Sequence, residues 1–199
     1  MSVVILVLAA GASSRMQGRD KLTEFVDGIP LLRRIVLRAL EVGEVIVTLP
    51  VDSNSQVAVD GLPVVKATVP DAVKGMSASI KAGLKHVPKS ASGVMILPAD
   101  MPELTADDLR LVAHQFELKE NITRGASKFG TAGHPVIFPR STFEELNCLE
   151  GDEGARSVLR DRDVTHVTLP DCHATVDLDT PEDWDAWRKS QQAKARTGS

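Results

Sequence analysis

The chain has 199 residues, room for one domain with a substantial core and too few for two comfortable ones. Its 43% apolar and 25% charged residues are those of an ordinary soluble protein. The 23 Lys and Arg against 27 Asp and Glu give a net charge of -4, which argues against a nucleic-acid binder. No apolar run reaches the roughly 18 residues of a membrane span. Met1–Ala10 is apolar but has no basic leader, so it reads as a strand and not as a secretory signal. Cys148 and Cys172 have neither a disulfide framework nor metal-ligand spacing, as expected of structural thiols in a reducing cytoplasm.

Val3–Ala9 is a continuous apolar, β-branched run, the pattern of a strand buried on both faces of a parallel sheet. Pro30–Val42 carries Leu and Ile at helical spacing and stops at Gly43, a C-cap candidate. Val45–Leu49 reads as a second buried strand, Val64–Ala67 as a weak third, and Ser77–His86 as a helix. Gly93–Leu97 is another buried strand, ended by Pro98. Thr105 caps a helix reaching about Leu118, with Asp108 completing a capping box. Val136–Phe138 and Val164–Leu169 are shorter strands, and Pro181 opens a last helix over Pro181–Arg188. Alternating buried strands and helices predict one α/β domain over residues 1–189, a three-layer α/β/α sandwich on a mostly parallel, Rossmann-like sheet. The polar tail, residues 190–199, is expected to fray.

Ligands of such sheets collect at the carboxyl ends of the strands. The first loop there runs Ala10-Gly11-Ala12-Ser13-Ser14-Arg15-Met16-Gln17-Gly18-Arg19-Asp20-Lys21. Small residues let a ligand approach the backbone, successive N–H groups form an anion-binding concavity, and Arg15 and Lys21 add fixed positive charge. The loop suits a triphosphate, yet has neither the Walker A nor the dinucleotide spacing. Asp100, in Leu97-Pro98-Ala99-Asp100-Met101-Pro102, follows an apolar strand to the same edge, where a carboxylate can hold Mg²⁺ against phosphate oxygens. In Val176-Asp177-Leu178-Asp179-Thr180-Pro181-Glu182-Asp183, alternation places Asp177 and Asp179 on one side of a short strand, and either can complete a metal site. The competing reading makes Asp179 or Thr180 an N-cap, with Glu182 and Asp183 favouring the helix start. Ser77 is similarly divided between a nucleotide cradle in Gly75-Met76-Ser77-Ala78-Ser79 and an N-cap.

These stretches, together with Gly133-His134-Pro135 and Gly151-Asp152-Glu153-Gly154-Ala155-Arg156, resemble the MobA/MocA-like nucleotidyltransferases in order and over nearly the whole chain. The resemblance implies a GT-A-like fold of the nucleotide-diphospho-sugar transferase type. It implies that Leu8, Ala9, Ala10, Gly11, Ser13, Ser14, Ser77 and Ser79 bind nucleotide, and that Arg15, Lys21 and Asp100 serve catalysis. Asp100 with Asp177 or Asp179 would hold Mg²⁺, while His134, Asp152 and Arg156 would face the acceptor. The implied reaction transfers CMP from CTP, the favoured donor, to the phosphate of molybdopterin, releasing pyrophosphate. A molybdoenzyme or its chaperone is the implied macromolecular partner, with neither nucleic acid nor membrane. The double alanine before Gly11 is similar to the CTP-using branch, whereas the GTP-using branch has Ala-Gly-Gly there. Gln17 departs from the pattern, which has glycine directly after the methionine. Other expectations left open are a guanylyltransferase, another small-molecule phosphate nucleotidyltransferase, and a non-catalytic maturation factor that binds the cofactor.

Overall fold

The computed structural model describes residues 2–11, 16, 20–51, 53–151 and 154–197. Ser13, Ser14, Arg15 and Asp152, all expected in the site, lie outside the described residues.

Seven strands form one sheet in the order β5-β4-β1-β6-β8-β7-β9. They are β1 (Val3–Leu8), β4 (Val45–Pro50), β5 (Val65–Val69), β6 (Gly93–Pro98), β7 (Ile122–Ala126), β8 (Ala132–Pro139) and β9 (Val164–Thr168). β1 pairs in parallel with β4 and β6, and β7 with β9; β8 runs antiparallel between β6 and β7. β1 and β6 are apolar throughout, and β4 but for the buried Thr48, because helices cover both of their faces. On one face α1 (Leu31–Leu40), α4 (Ala106–Lys119) and α7 (Pro181–Thr197) enclose Ile35, Phe116 and Trp184. On the other, α3 (Met76–Leu84), α5 (Phe143–Asn147) and α6 (Arg156–Leu159) enclose Ile80, Leu146 and Val158. The predicted three-layer sandwich is the observed one; α2 (Ser55–Ala58) is a single turn.

Several local expectations are corrected. Helix α1 ends at Glu41 in ordinary helical backbone, and Gly43 is not a left-handed cap. Helix α3 is preceded by Gly75 at φ 85°, so Ser77 lies inside the first turn and is not its N-cap. Helix α7 runs to Thr197, through most of the segment expected to fray, and Arg188 stacks 4.9 Å above the buried Trp184 ring. A hairpin of β2 (Phe25–Val26) and β3 (Ile29–Pro30) also went unread, although Asp27-Gly28, both at positive φ, is a strong hairpin-turn pair. The capping box of α4 is as expected: Asp108 accepts from the Thr105 backbone N–H at 2.8 Å, and the Thr105 hydroxyl accepts from the Asp108 N–H at 3.2 Å.

Candidate active site

Register brings the site to one edge. Leu8 at the end of β1 pairs with Thr48 and Pro98, so β1 and β6 finish level and β4 runs two residues past them. The Ala9 N–H donates to the Thr48 carbonyl at 3.1 Å, and the Ala99 N–H to the Leu8 carbonyl at 3.1 Å. The two turns leaving β1 and β6 are thereby locked side by side. Ala9 and Ala10 are buried, whereas a side chain built on Gly11 would meet nothing within 4 Å among the described residues. The backbone is therefore accessible at Gly11.

Lys21 opens a short 3-10 turn capped by Asp20, whose carboxylate accepts from the Leu22 N–H at 3.0 Å and from the Ser55 hydroxyl. That anchoring aims the Lys21 side chain across the sheet edge. Its Nζ donates to Asp100 at 2.6 Å and to Asp179 at 2.5 Å, joining residues 79 and 158 positions away in sequence. Burial works against the ammonium charge, but Asp100 first and Asp179 second outweigh it and hold the Lys21 pKa above its ordinary value. Lys21 is thus a permanent cation at the centre of the cluster.

Residues 171–180 leave β9 and return across the edge without forming the strand predicted over Val176–Asp179. Hydrogen bonds fix their course: the Lys128 N–H donates to the Asp171 carbonyl, the His134 N–H to that of Ala174, and the Leu178 N–H to that of Asp100. His173 Nδ1 lies 2.8 Å from Asp108, tying the segment to the α4 cap. Leu178 is buried in the core, which turns Asp177 and Asp179 the other way, beside Asp100. Partial burial first, then the Asp100 and Asp179 charges, push the Asp177 pKa up. The competition for Asp179 is decided locally. Thr180 and Asp183 form the capping box of α7, the Asp183 carboxylate accepting from the Thr180 backbone N–H at 2.8 Å and its hydroxyl at 2.6 Å. Asp179 is left to face Lys21.

Ser77 and Ser79 are both buried on α3, and the Ser77 hydroxyl reaches the Lys74 carbonyl at 3.5 Å. Gly154, at φ 56°, packs against Met76 so closely that a Cβ there would lie 2.7 Å from the methionine sulfur. This contact places the exposed Arg156, at the start of α6, beside the same helix N-terminus.

His134 sits on β8 two residues before Val136, which pairs with Ile96; its ring therefore reaches the same carboxyl edge. Among the described residues its Nδ1 is buried without a hydrogen-bond partner. Burial first, and then Arg124, depress its pKa to about 4 against a weaker pull from Asp100. A neutral imidazole at pH 7 follows. It also carries a stability consequence. The unfolded chain, with a histidine pKa near 6.5, binds more protons than the folded one between about pH 4 and pH 6.5. Stability present above pH 6.5 should thus fall by roughly 3 kcal/mol as the pH drops through that window. Denaturant unfolding from pH 4 to pH 7.5 should show a shallower slope for His134→Gln; identical slopes would contradict a buried neutral His134.

The MobA-like NTP transferase domain matches residues 5–167. The chain belongs to that family. Among curated relatives, purine catabolism protein PucB of Bacillus subtilis is 33% identical over 125 residues, 60% of this chain and 59% of PucB. The chain thus spans about three fifths of that relative. The molybdenum cofactor guanylyltransferase of Rhizobium leguminosarum is 30% identical over 197 residues, covering 89% of this chain and 88% of the relative. The crystal structure of Rv0371c from Mycobacterium tuberculosis superposes with a TM-score of 0.82 at 26% identity, over 94% of this chain and 97% of that one. A manganese complex of Rv0371c superposes at 0.79 and 25% identity, with the same coverage. The fold is GT-A-like, as the resemblance implied.

Sequence reasoning missed Arg124. It lies on β7, itself unread, where Arg124 and Gly125 interrupt the apolar pattern that reveals the central strands. Nothing in the spacing marks it.

Proposed function

We propose that this chain transfers a nucleoside monophosphate from an NTP to the phosphate of molybdopterin, with GTP the favoured donor and cytoplasmic residence. The observation that carries the reading is the convergence of Lys21 with Asp100 and Asp179 at the carboxyl edge of the sheet. The curated guanylyltransferase relatives support the GTP donor and the molybdopterin acceptor. CTP is the second reading, favoured by Ala9-Ala10-Gly11, where the guanylyl branch carries Ala-Gly-Gly.

The donor set fits a hard divalent cation. Among the described residues no three His, Cys, Asp or Glu side chains are arranged as a preformed metal cage. Mg²⁺, however, characteristically takes one or two carboxylates and completes its shell with phosphates and water. Asp100 and Asp179, now bridged by an ammonium that stands where a cation is wanted, supply that pair, and the raised Asp177 lies next to them. A metal bound there, Mg²⁺ by preference, would neutralise charge on the triphosphate oxygens. The manganese complex of Rv0371c supports a divalent cation as a partner of this fold.

In the proposed reaction an oxygen of the acceptor phosphate forms a bond to the α-phosphorus, and the bond to the pyrophosphate oxygen breaks. The acceptor oxygen is already ionised, so no general base is required. The barrier is the approach of two anions in line and the charge growing on pyrophosphate. Lys21, held charged at this edge, would turn from the carboxylates to the phosphates when a cation takes its place, and would offset that charge. Neutral His134 adds no charge of its own and no proton-transfer demand.

Pyrophosphate release with Mg²⁺, measured with GTP and with CTP against molybdenum-loaded molybdopterin, tests the reading. Release with GTP supports it, and release with CTP alone moves the donor to the cytidylyl branch. Binding of both nucleotides without release would instead favour a cofactor-binding maturation factor.

A further inference from the structure

We infer that Lys21 is the resident counter-ion of Asp100 and Asp179, and that its ammonium keeps free divalent cations off this pair until a triphosphate draws it away. This deepens the proposed function, as a regulation of the same site, and rests on it for the identity of the triphosphate.

The contacts are those of a competitor. Lys21 Nζ lies 2.6 Å from Asp100 Oδ2 and 2.5 Å from Asp179 Oδ1, one ammonium spanning two carboxylates from distant parts of the chain. Both oxygens are engaged by the same nitrogen, so a cation entering between them has to displace it. The match of charge is incomplete. One ammonium offsets only half of what two carboxylates carry, and the pair keeps its attraction for a divalent ion. A purely structural ion pair is usually sealed from solvent or fully exposed. These side chains are neither, at 12% exposure for Lys21, 19% for Asp100 and 30% for Asp179, so that ions and phosphates reach all three.

The frame around them holds still while the ammonium moves. The Asp100 carbonyl accepts from the Leu178 N–H at 3.1 Å, and Asp179 directly precedes the Thr180–Asp183 capping box. The turn that carries Lys21 is closed by the Thr23 N–H and hydroxyl, which donate to the Asp20 carbonyl at 3.1 and 2.9 Å, and by Leu22, buried in the core. The part free to swing is the lysine side chain, a point charge on a flexible four-carbon stem. Its swing exchanges carboxylate oxygens for phosphate oxygens and breaks no backbone hydrogen bond. The two events are linked. A triphosphate that holds the ammonium raises the affinity of the carboxylates for the cation, and the cation raises that for the triphosphate by the same factor. Free cation, with no triphosphate, competes against two charge-assisted hydrogen bonds.

The probe is Mn²⁺ alone, titrated into the whole chain without nucleotide or acceptor and followed by the electron paramagnetic resonance signal of the free ion. Lys21→Met keeps the stem and removes the charge. It should bind Mn²⁺ roughly tenfold or more tightly than wild type, the worth of one charged hydrogen bond. Adding Asp100→Asn to Lys21→Met should abolish the gain. Equal affinity for Lys21→Met and wild type overturns the competition, and so does a gain that survives Asp100→Asn, since the ion then sits elsewhere. A second measurement needs no variant. Reductive methylation of Lys21 in wild-type protein, read by peptide mass spectrometry, should quicken several-fold in saturating Mg²⁺, with the exposed Lys66 as the unaffected control. An unchanged rate overturns the competition even if Lys21→Met does not fold. Neither measurement uses turnover, so tightened Mn²⁺ binding in a protein that transfers no nucleotidyl group would uphold the competition while removing the transferase reading.

Discussion

Asp100→Asn should lower turnover by about three orders of magnitude while the protein stays folded. Asparagine keeps the volume and one acceptor oxygen, so the β6 turn, held by the Ala99 and Leu178 backbone hydrogen bonds, has no reason to move. What disappears is the negative charge that faces Lys21 at 2.6 Å and that would ligate the cation. Single preorganised electrostatic contacts of this kind contribute about 10²–10³ in turnover, and Asp100 holds two of the interactions at once. Removing it also takes away the largest influence that keeps Lys21 charged against burial. The check is kcat for pyrophosphate release together with the thermal midpoint. A near-normal kcat would remove Asp100 from the reacting centre; a collapsed midpoint would show it to be structural.

Gly133→Ala should destabilise the fold by about 3 kcal/mol or more, at the upper end of what overpacking costs. A Cβ at Gly133 would lie 1.8 Å from the Ala174 carbonyl oxygen and 2.6 Å from its carbon. Neither group can rotate away, because both are backbone, and the same Ala174 oxygen accepts from the His134 N–H at 2.8 Å. The returning segment would have to leave β8, and Asp177 and Asp179 ride on that segment. Urea unfolding should therefore show lost stability, and residual turnover should fall beyond what the folded fraction explains. Gly11→Ala is the contrast, since its Cβ would meet nothing within 4 Å among the described residues. It should unfold near the wild-type midpoint while weakening nucleotide binding. Equal stability for Gly133→Ala and wild type would mean that the 171–180 segment is not seated as described.

The parts of the fold legible in the sequence are those that physics over-determines. β1, β4 and β6 announce themselves because burial on both faces demands apolar runs, and the level ends of β1 and β6 explain why Gly11 and Asp100 were expected at one edge. β7 is illegible because it carries Arg124 and Gly125, one donating to the Gly133 carbonyl and the other shaved down for the His134 carbonyl, which a Cβ would approach to 2.5 Å. The Asp177–Asp179 stretch was misread as a strand because alternation alone does not distinguish a ladder from a segment held by scattered backbone bonds. Yet the means to choose Asp179 over a cap were present. Thr180 and Asp183 repeat the Thr105 and Asp108 spacing that was read correctly at α4, and a helix needs only one such box. The encounter of Lys21 with Asp100 and Asp179 depends on how a loop, a strand end and a returning segment meet, and sequence separation hides it.

The central claim is that this edge moves a nucleotidyl group, and the fate of isotopic label tests it most directly. Purified protein would be incubated with Mg²⁺, molybdenum-loaded molybdopterin, and GTP or CTP labelled either at the α- or at the γ-phosphorus. The account predicts α-label in the acceptor product and γ-label in pyrophosphate. Label from the γ-position in the acceptor, or released as inorganic phosphate with none of the α-label transferred, would contradict it.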